Sequence, residues 1–161
     1  MAERDLNITP SILNRLIDYE PDNSHEAAKS RYYDLRELKQ SVRRDIETLL
    51  NTRTPNYKVD DNLEEVRKSV VFYGLPDFTA VGANNPEEQV RITSAIRDAI
   101  EFFEPRFIGV NVQLEPLDGL GKQVRFRIEA NLDVEPSPEP VVFDSVLQPG
   151  SGEFTVEEKN S

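Results

Sequence analysis

The residues with most capacity for chemistry gather in FFEPRF, where Glu104, Pro105 and Arg106 follow one another between Phe103 and Phe107. A carboxylate and a guanidinium at a corner stiffened by proline can form a charge-assisted pair. Alternatively, the arginine can complement the C-terminus of the preceding helix. The same guanidinium, fixed on a rigid corner, can instead contact a partner. Glu101 and Glu104 offer a second chemistry, because two carboxylates near one helix end could divide the acid and base roles of a glycoside hydrolase. Spacing alone shifts no pKa, and the chain has no tryptophan to serve as a sugar platform. The single histidine, His25, stands in a polar stretch without a neighbouring nucleophile, which favours a solvated side chain over a triad member or metal ligand. GLGK at 119–122 invites a phosphate-loop reading, yet Pro116 and Gln123 occupy the positions where such a loop needs glycine and Ser or Thr. A hairpin turn between two strands is the better reading. No cofactor and no metal are expected.

Three helices precede the strands. Asp34 can cap the first, with Glu37 completing a capping box, and Leu35, Leu38, Val42, Ile46 and Leu49 form one apolar stripe. Arg36, Arg43, Arg44 and Glu47 are expected on the opposite face, with Asn51 and Pro55 as stops. The spacing predicts a second helix over 63–73, capped by Asp61 or Asn62, with Leu63, Val66, Val70 and Tyr73 as its stripe and Gly74 as its left-handed end. The loop that follows exposes Phe78 unless something covers it. Asn85, Pro86, Glu87 and Glu88 are strong start signals for a third helix. Ile92, Ile96, Ala99, Ile100 and Phe103 form its apolar face, and Pro105 ends it.

The period then changes to two. Ile108, Val110, Val112 and Leu114 are expected on one face of a strand, and Val124, Phe126, Ile128, Ala130, Leu132 and Val134 on one face of the next. The prolines of EPSPEP mark a break, after which VVFDSVL and EFTVEE read as a third strand and a shorter fourth. Residues 1–31 read as an extended N-terminal arm with one small apolar patch. Residues 32–161 read as a single domain with an acidic C-terminal tail. The fold expected is α+β: three helices on one face of a small antiparallel sheet of three to four strands.

The chain has 161 residues, and its 30 acidic against 19 basic residues leave a net charge of −11. That balance argues against general affinity for nucleic acid. The charge is also polarised: 29–53 carries seven bases against four acids, while 129–161 carries eight acids against one base. With no cysteine, disulfide frameworks and thiolate chemistry are excluded. No apolar run is long enough to span a bilayer and the first residues lack the order of a secretory signal, so a cytoplasmic location is expected.

DLRELKQSVRRDIETLLNTR, then VVFYGLPDF, then the helix running into FFEPRF, resemble the TssE family of bacterial type VI secretion baseplates. The family extends to the small wedge protein of contractile phage tails, some members of which carry a lysozyme label. ILNRLIDYEP resembles the family's opening segment, with Leu13, Arg15, Leu16 and Asp18 in its pattern. The likeness runs in order from Ser11 to Val134, and LLNTR, YGLPDF and EPR together make it specific. It implies a structural, non-enzymatic subunit that joins the baseplate wedge with TssF, TssG and TssK. It also implies that the subunit initiates polymerisation of the contractile sheath of TssB and TssC, without membrane insertion. Carried onto this sequence, Glu104, Pro105 and Arg106 would secure the domain against the wedge core. The strand-exchange surface would fall on Ile108, Val110, Val112 and Leu114, and N-terminal docking on Leu13, Arg15, Leu16 and Asp18. A small sheet supports the idea physically, because its edge strands offer N–H and C=O groups that a foreign strand can satisfy. The alternatives are a phage-tail wedge protein working by the same mechanism and, less favoured, a hydrolase using Glu101 and Glu104.

Overall fold

The computed structural model describes residues 35–56, 59–60, 62–78, 85–115, 124–148 and 151–159, together with Leu16 and Asp22. The expectations placed on Leu13, Arg15, Asp18, His25, Asp34 and the 119–122 turn lie outside the described residues. Leu16 is described and is 75% exposed.

Helix α1 spans Leu35–Asn51 and buries Leu38, Ser41, Val42, Ile46, Leu49 and Leu50, the expected stripe less Leu35, which is only half-buried, and widened by one serine and one leucine. Helix α2 is a single turn, Glu64–Arg67, followed by a 3-10 turn at Val70–Phe72. The longer second helix expected over 63–73 does not form. Ser69 adopts extended backbone (φ −80°, ψ 164°) and breaks it. Of its intended stripe only Tyr73 packs against the core, while Leu63, Val66 and Val70 stay exposed, Val70 at 83%. A short helix without tertiary packing is marginal, and adjacent β-branched valines do not help it. Helix α3 spans Pro86–Phe103, and the Asn85 side-chain oxygen accepts from the Glu87 N–H at 3.0 Å, as its start signals require.

Four strands follow: β1 (Phe107–Glu115), β2 (Val124–Leu132), β3 (Glu139–Leu147) and β4 (Phe154–Glu158). They form one antiparallel sheet in the order β1-β2-β3-β4. Alternation puts Phe126, Ile128, Ala130 and Leu132 inward on β2, and Val141, Phe143 and Leu147 inward on β3. These side chains share one core with the buried faces of α1 and α3. Phe78 belongs to that core at 3% exposure, with the Arg91 guanidinium 5.9 Å above its ring. The other sheet face is polar. On it Arg127 pairs with Glu115 on one side, and its Nε lies 3.5 Å from Asp144 on the other.

The phase of β1 departs from the expectation. Gly109 has φ +66°, and the register slips between Ile108 and Asn111, the mark of a β-bulge. Phe107 and Val110 therefore both point inward, and Ile108 is 47% exposed instead of sharing the face of Val110 and Val112. Gly74 is constrained differently. Its φ is +117°, and a Cβ there would lie 2.7 Å from the Thr52 carbonyl carbon. That close approach lets Arg53 and Leu75 form a parallel bridge between the end of α1 and the segment before Pro76.

The two glycines make a paired test by urea unfolding. Gly109→Ala, with open space around its new methyl, is expected to cost about 1–2 kcal/mol of backbone strain. Gly74→Ala adds a backbone collision to strain of that kind and is expected to cost about 3 kcal/mol or more.

Candidate functional site

The EPR corner is built where α3 ends and β1 begins. Glu104 is the last residue able to receive the helix, its N–H donating to the Ile100 carbonyl at 2.9 Å, and Pro105 has no N–H with which to continue. Glu104 is only 5% exposed. Both of its carboxylate oxygens accept from Arg106, Oε1 from Nε at 2.6 Å and Oε2 from Nη2 at 2.5 Å. The same Nη2 donates to Asp45 of α1 at 2.5 Å, and Nη1 to the Ser41 hydroxyl at 3.4 Å. One guanidinium therefore clamps α1 to the α3–β1 corner in the fork geometry that lysine cannot reproduce. Burial works against its charge, yet the bonds and charges of Glu104 and then Asp45 outweigh burial and push the Arg106 pKa up.

Of the residues considered for chemistry, Glu101 is exposed on α3 while Glu104 is turned into this clamp, so the two carboxylates occupy unlike surroundings. Sequence reasoning identified the Glu104–Arg106 pair but missed Asp45, Ser41 and Tyr73. Ser41 and Asp45 stand four apart along the border of the α1 stripe, which was the available signal. Tyr73 packs edge-on against Phe103 with centroids 5.2 Å apart. Burial first, then the charges of Asp45 and Glu104, push its phenol pKa up.

Three separated motifs thus become neighbours. In LLNTR, Leu49 and Leu50 fill the core and the Thr52 carbonyl accepts from the Leu75 N–H at 2.8 Å. Arg53 donates to the Leu50 carbonyl at 3.1 Å and closely to that of Gly152. YGLPDF supplies Tyr73, Gly74, Leu75 and Phe78, and EPR supplies the clamp.

The sheet's two edges differ. Gln148 N–H donates to Glu153, and Lys159 N–H to Val142, so Phe154 and Val156 turn their backbone groups away from β3. Side chains of α1 meet them there. On β1, the Asp133 N–H donates to Arg106 at 2.8 Å, which sets the alternation so that Val112 and Leu114 turn theirs away from β2. Among the described residues no strand pairs with that outer side. Of the residues predicted to form an exchange surface, Val110, Val112 and Leu114 share the core-facing side of this free edge, and Ile108 lies on the other face. No group of His, Asp and Glu able to hold a metal occurs among the described residues, and none of their helices is long and apolar enough to cross a membrane.

The family model for baseplate wedge protein gp25 matches residues 36–137, well over half of the chain. The chain belongs to that family of structural baseplate proteins. No curated protein matches it. A chain in a structure described as "The baseplate complex from the type VI secretion system" is similar at 17% identity with a TM-score of 0.48. The match covers 70% of this chain and 96% of that one.

Arg106→Leu leaves Glu104 buried without its partner and is expected to cost about 3–5 kcal/mol in urea unfolding. The double variant Glu104→Gln/Arg106→Leu should recover part of that loss. The raised Tyr73 phenol means that the folded state keeps a proton the unfolded chain sheds near pH 10. Stability present below that pH should therefore fall as pH rises beyond it, and less steeply in Tyr73→Phe, measured by unfolding at stepped pH.

Proposed function

We propose that this chain, as a member of the baseplate wedge family, is a cytoplasmic baseplate subunit of a type VI secretion system. It joins the wedge formed by TssF, TssG and TssK and starts polymerisation of the TssB–TssC sheath. Its work is docking, with no bond made or broken. The observation that carries this reading is the outer edge of β1, whose backbone groups at Val112 and Leu114 find no strand partner among the described residues. An extended segment of a sheath subunit would complete the ladder there, main-chain bonds supplying affinity and alternate side chains setting register. The clamp of Glu104 and Arg106 supports the same reading by fixing the direction in which β1 leaves α3. On this account the EPR corner serves the wedge by holding the domain's shape, with the exposed part of Arg106 and the neighbouring Phe102 available to a wedge subunit. Leu13, Arg15, Leu16 and Asp18 would add a second hold through the N-terminal arm.

Leu114→Pro tests the exchange surface, because it removes an N–H that points outward and leaves the bonds to β2 in place. The variant is expected to keep its fold and to co-purify with wedge subunits from cells carrying the baseplate genes. It should fail to seed sheath, read by mass spectrometry of pull-downs and by imaging of sheath filaments. Normal sheath assembly by folded Leu114→Pro would overturn the reading.

A further inference from the structure

The opposite edge of the sheet carries a device that periodicity does not reveal. Phe154 donates its N–H to the Asn51 Oδ1 at 2.8 Å, and its carbonyl accepts from the Asn51 Nδ2 at 2.8 Å. Val156 is met in the same way: its carbonyl accepts from the Arg43 Nη1 at 3.0 Å, and its N–H points to the Glu47 Oε1 at 3.4 Å. Arg43 and Glu47 are themselves paired at 3.1 Å, and Lys39 lies 4.0 Å from the Glu158 carboxylate. Lys39, Arg43, Glu47 and Asn51 form one row of α1, four residues apart. The row runs antiparallel to β4, meeting Glu158, Val156 and Phe154 in turn.

Four residues of α-helix climb about 6 Å. Two residues of strand advance about 6.7 Å. The row from Lys39 to Asn51 takes three such helical steps, about 18 Å, against two strand steps from Glu158 to Phe154, about 13 Å, so Arg43 and Glu47 converge on Val156 while Asn51 takes Phe154 alone. Asparagine offers both functions on one amide, and an Arg–Glu pair offers one each.

We infer that the Arg43, Glu47 and Asn51 row of α1 acts as a surrogate strand that seals β4, so that the sheet accepts foreign backbone at β1 alone. The inference names the edge used under the proposed function and rests on that reading for its purpose. The seal itself is a property of the isolated chain. Its removal exposes a strand edge with outward N–H and C=O at Phe154 and Val156, and the occupant best suited to it is β4 of a second copy, paired antiparallel about a two-fold axis.

Two measurements on the full chain test it. In amide hydrogen exchange followed by NMR, Asn51→Ala should accelerate Phe154 roughly tenfold while Thr155 and Glu157, which bond to β3, keep their wild-type protection. In sedimentation velocity, the triple variant Arg43→Ala/Glu47→Ala/Asn51→Ala should gain a concentration-dependent dimer that wild type lacks. That dimer should persist when Leu114→Pro blocks β1. Unchanged Phe154 exchange in Asn51→Ala overturns the seal, whether or not the triple variant folds. So does a folded triple variant that associates no more than wild type, or whose dimer disappears with Leu114→Pro. Neither readout involves sheath, so the proposed function can fail in its own test while the seal stands.

Discussion

One guanidinium, lying between a carboxylate of α1 and one at the α3–β1 corner, ties the helical layer to the start of the sheet. Arg106 is taken by Glu104 at the end of α3 and by Asp45 in the middle of α1, and the chain leaves it directly into β1. Burying such a group is costly, and well-packed apolar side chains often match or exceed the stability of a buried ion pair. What apolar packing does not supply is direction. A planar fork with fixed donor angles admits one relation between α1, the end of α3 and the start of β1, and Pro105 removes the donor that would let the helix run on. The adjoining aromatic pair of Tyr73 and Phe103 packs against the same corner.

Much of this architecture is legible in the sequence for physical reasons. The α1 stripe, the Asn85–Pro86 start and the alternation of β2 are local patterns, each written within a single element. What was not legible is what depends on two elements at once. Asp45 meets Arg106 across 61 residues, and its place four residues after Ser41 on the border of the α1 stripe does not say which residue it meets. Arg43 and Glu47 read as a solvated face because the strand they meet lies more than 100 residues away. Ile108 fits an alternating pattern and still faces outward, because the bulge at Gly109 moves the phase; a lone glycine inside a strand was its only local sign. The second helix failed in the opposite sense. Its stripe is present in the sequence, but the fold receives only Tyr73 and leaves Leu63, Val66 and Val70 exposed.

LLNTR, YGLPDF and EPR are scattered along the chain and contiguous in space. Thr52 and Arg53 hold Leu75, Gly74 permits their approach, Tyr73 reaches the clamp, and Arg53 extends to the turn before β4. The side chains in these motifs mostly bind main chain or one another. Such a signature belongs to a body that must keep its outline, which suits the structural family in which the chain falls.

The two edges then acquire a meaning that neither has alone. A small sheet open on both sides can pair with partners in both directions and with copies of itself, and nothing in its core would prevent it. Covering β4 with a row of α1 side chains leaves one direction for addition. The row costs the helix little, because Arg43, Glu47 and Asn51 would otherwise be hydrated on its flank, and it satisfies strand groups that water would otherwise serve. A subunit built in this way can receive one foreign strand and cannot continue a ladder beyond itself. Under the proposed function, that is the asymmetry a component needs in order to begin a polymer that it does not join as a repeating unit.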